Sequence, residues 1–117
     1  MQFMLMIHED ESIYAGEGGE ALMADTLAKH MALGEALAKA GVPFSGERLK
    51  PAATATTIRW DHGASALHDG PFAETHEELG GFYIIDVADL DSALAWARQI
   101  PVPGKGAIEV RPVWPMG

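Results

Sequence analysis

Cysteine is absent from this 117-residue chain, which removes disulfides, thiolate metal sites and cysteine nucleophiles together. Basic residues are scarce: 8 Lys and Arg stand against 17 Asp and Glu, a formal net charge of −9. Affinity for nucleic acid rests on clustered Lys and Arg, and no cluster occurs, so no direct nucleic-acid partner is expected. The same charge disfavours anionic membrane surfaces. Long apolar runs are also missing. Met1 to Ile7 is apolar but short, has no basic leader, and gives way to His8-Glu9-Asp10-Glu11, so it reads as neither signal peptide nor membrane span. A cytoplasmic location is the expectation. Gly16-Glu17-Gly18-Gly19 lacks the preceding strand and the Lys of a phosphate-cradling loop, and no Ser/His/Asp nucleophile motif appears.

What is present suits one domain, 1–117, around one core, with 48% hydrophobic residues. Phe3 to Ile7 is apolar at every position and predicts a first strand buried on both faces. His8 to Glu20 is acidic and Gly-rich and reads as an exposed loop. A helical pattern runs from Ala21 to Ala40 and stops at Gly41-Val42-Pro43. Ser45 to Leu49 predicts a short strand. Thr54 to Trp60 and Ala64 to Leu67 flank Asp61-His62-Gly63 and predict a hairpin. A strong strand follows at Gly81 to Val87. A second helix starts at Asp89 or Asp91 and turns Leu90, Ala93, Leu94, Ala97 and Ile100 to one face. Ala107 to Trp114 closes the chain as a strand.

The order is β-α-β, an inserted hairpin, then β-α-β. Without the insert this is the α+β, ferredoxin-like split βαβ arrangement, with both helices on one face of the sheet. The other face needs a cover, since Phe82-Tyr83-Ile84-Ile85 predicts burial on both sides. A second copy supplies it most simply, so a homodimer built face to face is expected.

Two features carry candidate chemistry. The first is Asp69-Gly70-Pro71-Phe72-Ala73-Glu74-Thr75, a turn-forming run with two carboxylates, followed by Gly80-Gly81-Phe82-Tyr83-Ile84-Ile85-Asp86. Asp69 serves there either as a turn residue bonded to its own backbone or as a site acid, and Phe72 reads as an anchor in the core. Glu74 either caps a turn or lines a pocket. Thr75 with Glu78 has the form of a capping box opening a short helical turn. The second feature is His30. Met23, Leu27, His30, Gly34, Leu37 and Gly41 follow helical spacing and predict an inward stripe, with space beside Gly34 for a ligand or water. An inward imidazole is either a structural group bonded to a carbonyl or a proton-transfer group.

Those segments, with Pro51-Ala52-Ala53-Thr54-Ala55-Thr56-Thr57-Ile58-Arg59, Asp89-Leu90-Asp91 and Ile108-Glu109-Val110-Arg111-Pro112-Val113, resemble the DGPF branch of the YCII-related proteins along nearly the whole chain. The resemblance implies a dimeric ferredoxin-like α/β barrel with a cleft, and a His-Asp pair whose histidine matches His30. The aspartate does not carry over, because the matching region here reads Ile100-Pro101-Val102. Pairing His30 with Asp69 is therefore the expectation drawn here, the carboxylate orienting the imidazole for acid/base work. The resemblance also implies a link to alternative sigma factors as genomic neighbours.

Two functions follow from this. One is an isomerase- or lyase-like enzyme acting on a small organic molecule; the other is a non-catalytic binding or regulatory module. Arg111, like Arg59, could hold an anionic substrate or form a cross-strand ion pair. Tyr83 is expected on the sheet face away from the helices, bordering a dimer cavity. Trp60, Trp96 and Trp114 read as packing residues. His68, Asp69, Glu74 and His76 match no established zinc spacing, so neither a metal nor another cofactor is expected.

Overall fold

The computed structural model describes all 117 residues. Its elements, in order, are β1 (Gln2–Glu9), α1 (Gly19–Lys39), β2 (Phe44–Arg48), β3 (Thr56–Asp61), β4 (Ala64–Asp69), β5 (Glu78–Asp86), α2 (Leu90–Ala97) and β6 (Gly106–Pro112), with short 3-10 turns at Glu11–Tyr14 and Ala52–Thr54. Four strands form one antiparallel sheet in the order β2-β5-β1-β6, while β3 and β4 pair only with each other. This is a mixed α+β domain whose four-stranded order matches the split βαβ arrangement once the hairpin is set aside.

Alternation along β1 builds the core. Phe3, Leu5 and Ile7 point to one face and are at most 5% exposed. They join Ile85 of β5, Leu33 and Leu37 of α1, and Ala93, Ala97 and Ile100 of the α2 region in one cluster. Both helices therefore cover the same face. The ends of α1 and α2 are set by local chemistry. Gly41 takes φ 71° just beyond α1, and the amides of Gly41 and Val42 donate back to the carbonyls of Ala38 and Leu37. Asp89 caps α2 by accepting from the Ser92 amide at 2.8 Å.

The opposite face of the sheet has no covering element. Met4 and Met6 of β1 stand there beside Ile84 and Phe82, their register partners on β5. All four are partly exposed. The β3–β4 ribbon extends from the sheet as an arm. Its turn places His62 and Gly63 at φ 49° and 89°, the two successive positive angles of a tight I′ hairpin. Its root is fixed by the Ala52 amide donating to the Glu11 carboxylate at 2.9 Å and the Gly70 amide donating to the Ala55 carbonyl at 2.8 Å.

Several expectations require correction. β1 continues through His8 and Glu9 instead of ending at Ile7. On α1 the deeply buried positions are Thr26, Leu33 and Leu37, whereas Met23, Leu27 and Met31 are exposed on an adjoining flank. Leu90 is 49% exposed, and Trp60 and Trp114 are 71% and 91% exposed, so of the three tryptophans only Trp96 packs against the core. Phe72 is also exposed, and the Arg59 guanidinium lies over its ring at 5.1 Å. The Thr75 amide does donate to the Glu78 carboxylate, at 3.2 Å, but the segment leads directly into β5 with no helical turn.

Candidate functional site

β5 turns Tyr83 toward the helices, because its register partners are the buried Leu5 of β1 and Gly46 of β2. This reverses the expected orientation, in which Tyr83 faced the uncovered side: the core position of Ile85 fixes the parity of the strand, and Phe82 and Ile84 take the outer face. Gly46 makes the space. A Cβ there would lie 3.1 Å from the Tyr83 ring and 2.7 Å from the Phe82 carbonyl oxygen.

His30 meets Tyr83 from above. It occupies the boundary of α1 between the buried stripe and the exposed Met23–Leu27–Met31 flank. Its Nδ1 is 2.7 Å from the Tyr83 hydroxyl, and the two rings stack with 22° between their planes. Nε2 has no protein partner. Burial, and secondarily the Arg48 guanidinium, hold the imidazole below its ordinary pKa of 6.5, so it is neutral at pH 7. Burial pushes the Tyr83 phenol above 10 and keeps it protonated. The contact then fits two tautomers. With Nδ1–H donating to the Tyr83 oxygen, Nε2 offers a lone pair; with Tyr83 donating to Nδ1, Nε2 offers an N–H.

A cleft of about 380 Å³ opens between α1 and the sheet at this point. Leu27, Met31 and Phe44 give it apolar walls, and His30, Tyr83, Glu9, Tyr14 and Arg48 bring polar groups to it. Glu9 arrives there as the next helix-side position after Ile7 on β1. Burial raises its carboxyl above the usual value, partly offset by the hydrogen bond that Tyr14 donates at 3.4 Å, and Glu11 nearby adds to the rise. Arg48 makes no ion pair with any carboxylate. A second groove of about 470 Å³ runs along the opposite flank of α1, but its charged residues Asp25 and Lys29 already pair with each other at 3.1 Å. The His30 cleft is thus the chemically equipped one.

Of the candidate site residues named from the sequence, the structure brings His30 and Tyr83 together beside Gly34 and leaves Asp69, Glu74 and Arg111 outside this cleft. Asp69 is the last residue of β4, opposite Thr56, and makes no hydrogen bond to His30. Within one chain the expected His30–Asp69 pair is not formed, because β4 belongs to the arm and the arm leaves the sheet. Glu74 is exposed in the segment before β5. Arg111 stands on the uncovered face, opposite Met4 in register, and donates to Glu109 of its own strand at 2.6 Å. Glu109 also lies 3.2 Å from Nε2 of His8. No group of three or more His, Asp or Glu side chains gathers at metal-binding separation. Sequence reasoning missed Glu9, Tyr14 and Arg48. For Glu9 a signal existed, since Phe3, Leu5, Ile7 and Glu9 continue one alternation.

The model of the YCII-related domain matches residues 1–117. The chain belongs to the YCII-related family. An uncharacterized protein of Rhizobium meliloti (strain 1021) is 41% identical over 118 residues, covering 97% of this chain and 92% of that protein. This YCII-related chain offers a histidine oriented by a tyrosine hydroxyl, with a half-buried carboxyl in the same cleft.

Proposed function

We propose that this protein binds a small organic molecule in the His30 cleft and carries out acid/base chemistry on it. The observation that carries this reading is the 2.7 Å contact of His30 Nδ1 with Tyr83, which leaves Nε2 unpartnered at an apolar-walled cleft. A neutral imidazole fixed by a second-row hydrogen bond is suited to take up a proton from a bound molecule. Tyr83 fills the orienting role first assigned to Asp69. The run Asp69 to Thr75 supports, by resemblance, membership of the DGPF branch, and a cytoplasmic protein without a resident cofactor fits this reading.

A homodimer is part of the proposal. The chain exposes 8232 Å², whereas a compact 12.5 kDa protein exposes about 6,200 Å². Its radius of gyration is 16.1 Å, against about 13.4 Å for a compact chain of this length. The excess of about 2,000 Å² is what an obligate interface removes from each partner. Ile58, Trp60 and Leu67 share one face of the arm, and Asp69 occupies the same face two residues after Leu67. Covering that face with a second copy brings Asp69 to the interface.

Native mass spectrometry of protein purified without a tag, followed by His30→Gln and Tyr83→Phe, tests the cleft. The expected result is a co-purified small molecule that both variants still bind, with turnover lost in His30→Gln. Tyr83→Phe should move the His30 titration midpoint measured by NMR. An unmoved midpoint, together with full turnover in His30→Gln, removes the proposed chemistry.

A further inference from the structure

We propose that Glu9 is the second proton-transfer group of this cleft, working with His30 on a small oxo acid whose carboxylate is held by Arg48. The inference rests on the cleft reading above and adds to it a second residue, a substrate class and a direction of proton flow.

Three observations place Glu9 there by construction. β1 and β5 lose register between Ile7 and His8: Ile7 pairs with Gly81, but His8 pairs with Leu79, leaving Gly80 as an extra residue. A Cβ on Gly80 would collide with the Glu9 carboxylate, whose Cδ would lie 2.9 Å from it. Bulge and glycine together make the recess the carboxylate fills. Tyr14, from the turn after β1, approaches Oε2 with its hydroxyl at 3.4 Å, a long hydrogen bond.

Glu9 and His30 enter one cleft from two elements, the carboxylate seated beside Gly80 on the sheet and the imidazole carried by α1 and held by Tyr83, so two proton-carrying groups face the same space. Burial raises the pKa of the first and lowers that of the second. Arg48 supplies the only cationic side chain at the cleft and is not engaged by a protein carboxylate, so it suits a carboxylate on the ligand. The apolar walls suit a short carbon skeleton.

The step balances without a co-reactant. In the form with Glu9 protonated and His30 Nδ1–H donating to Tyr83, Nε2 takes a proton from the carbon beside the ligand's carbonyl, and the C–H electron pair becomes the new C=C bond. The carbonyl π pair takes the Glu9 proton and forms the enol O–H. Return of a proton from the imidazolium, after exchange with water, to the same carbon, with Glu9 recovering the hydroxyl proton, restores the oxo acid and exchanges its hydrogen with solvent.

Wash-in of deuterium from D2O provides the test, followed by proton NMR with acetoacetate, 2-oxobutanoate and 4-oxopentanoate as probes. Wild type is expected to accelerate C–H exchange in at least one of them. Glu9→Gln should lower that rate about 100-fold or more. Arg48→Ala should raise the probe concentration needed for half-maximal rate about 10-fold with a smaller effect on the maximal rate. Gly80→Ala should displace the Glu9 carboxylate and slow exchange while circular dichroism stays unchanged. Wild-type exchange in none of the three probes overturns the inference, as does Glu9→Gln exchanging at the wild-type rate. The binding cleft is judged separately, by whether 4-oxopentanoate shifts the His30 ring resonances. A shift without exchange keeps the cleft and removes the Glu9–His30 pair.

Discussion

The four-stranded body and the two-stranded arm are built from similarly β-prone sequence, and they differ in what lies against them. In the body, Phe3, Leu5 and Ile7 alternate toward two helices and are at most 5% exposed. In the arm, Ile58, Trp60 and Leu67 share one face and are 56%, 71% and 75% exposed. An isolated two-stranded hairpin is marginal in water, and a patch of three large apolar residues on one of its faces is of a kind that marks interaction surfaces. Alternation shows that a segment is a strand with a preferred face. The partner for that face is a separate matter, and the single chain places nothing against the arm's apolar face.

The largest expected effect breaks the body. Leu37 is 1% exposed at the centre of the core, and Leu37→Ala should cost about 2–5 kcal/mol, read from urea denaturation. The arm answers differently. Trp60→Ser at a freely solvated position would change stability by less than about 0.5 kcal/mol. Buried against a second copy, the same change combined with Ile58→Ser should shift sedimentation toward monomer and abolish the dependence of Tm on protein concentration. A monomeric wild type at micromolar concentration, or a double variant that sediments unchanged, would break the contrast as drawn.

The smallest effect separates the cleft's ionisable groups from the exposed ones of the arm. Glu9 has a raised pKa in the fold, so the folded state binds more protons than the unfolded one above pH 4.5, and stability falls as pH rises through that window. Glu9→Gln should therefore raise Tm by roughly a few degrees at pH 7.5 and by nothing at pH 4. His30 acts with the opposite sign. Its pKa is lowered, so its contribution is complete above 6.5 and lost as pH falls from there through the folded value. Calorimetry of His30→Gln should show a shallower acid limb below pH 6.5.

Much of the fold was legible in the residues. Gly41-Val42-Pro43 stopped α1 where its carbonyls are satisfied, Asp89 capped α2, and Asp61-His62-Gly63 turned the hairpin. His30 was legible as a special position, though for an incomplete reason. The stripe drawn through Met23 and Leu27 followed apolar character, while the packed stripe follows Thr26, whose hydroxyl is satisfied by the Leu22 carbonyl at 2.8 Å. Tyr83 was placed on the wrong face because every residue from Phe82 to Ile85 is apolar or aromatic, leaving no alternation to fix parity. Glu9 was hidden by its neighbours: in His8-Glu9-Asp10-Glu11 it looks like loop, and only extending the alternation of Phe3, Leu5 and Ile7 by one more step shows that it points inward. No single position encodes that the arm departs from the sheet, so Asp69 could be read as reaching His30.

The extra residue at Gly80 also has a meaning for inheritance. Because the Glu9 carboxylate fills the space that a side chain at position 80 would need, the two positions answer to one constraint. A lineage that replaces the acid at 9 with a small residue frees position 80 to vary, and one that fills position 80 first must give up the seated acid. Across descendants of a common ancestor, the acid and the glycine should be kept together or lost together.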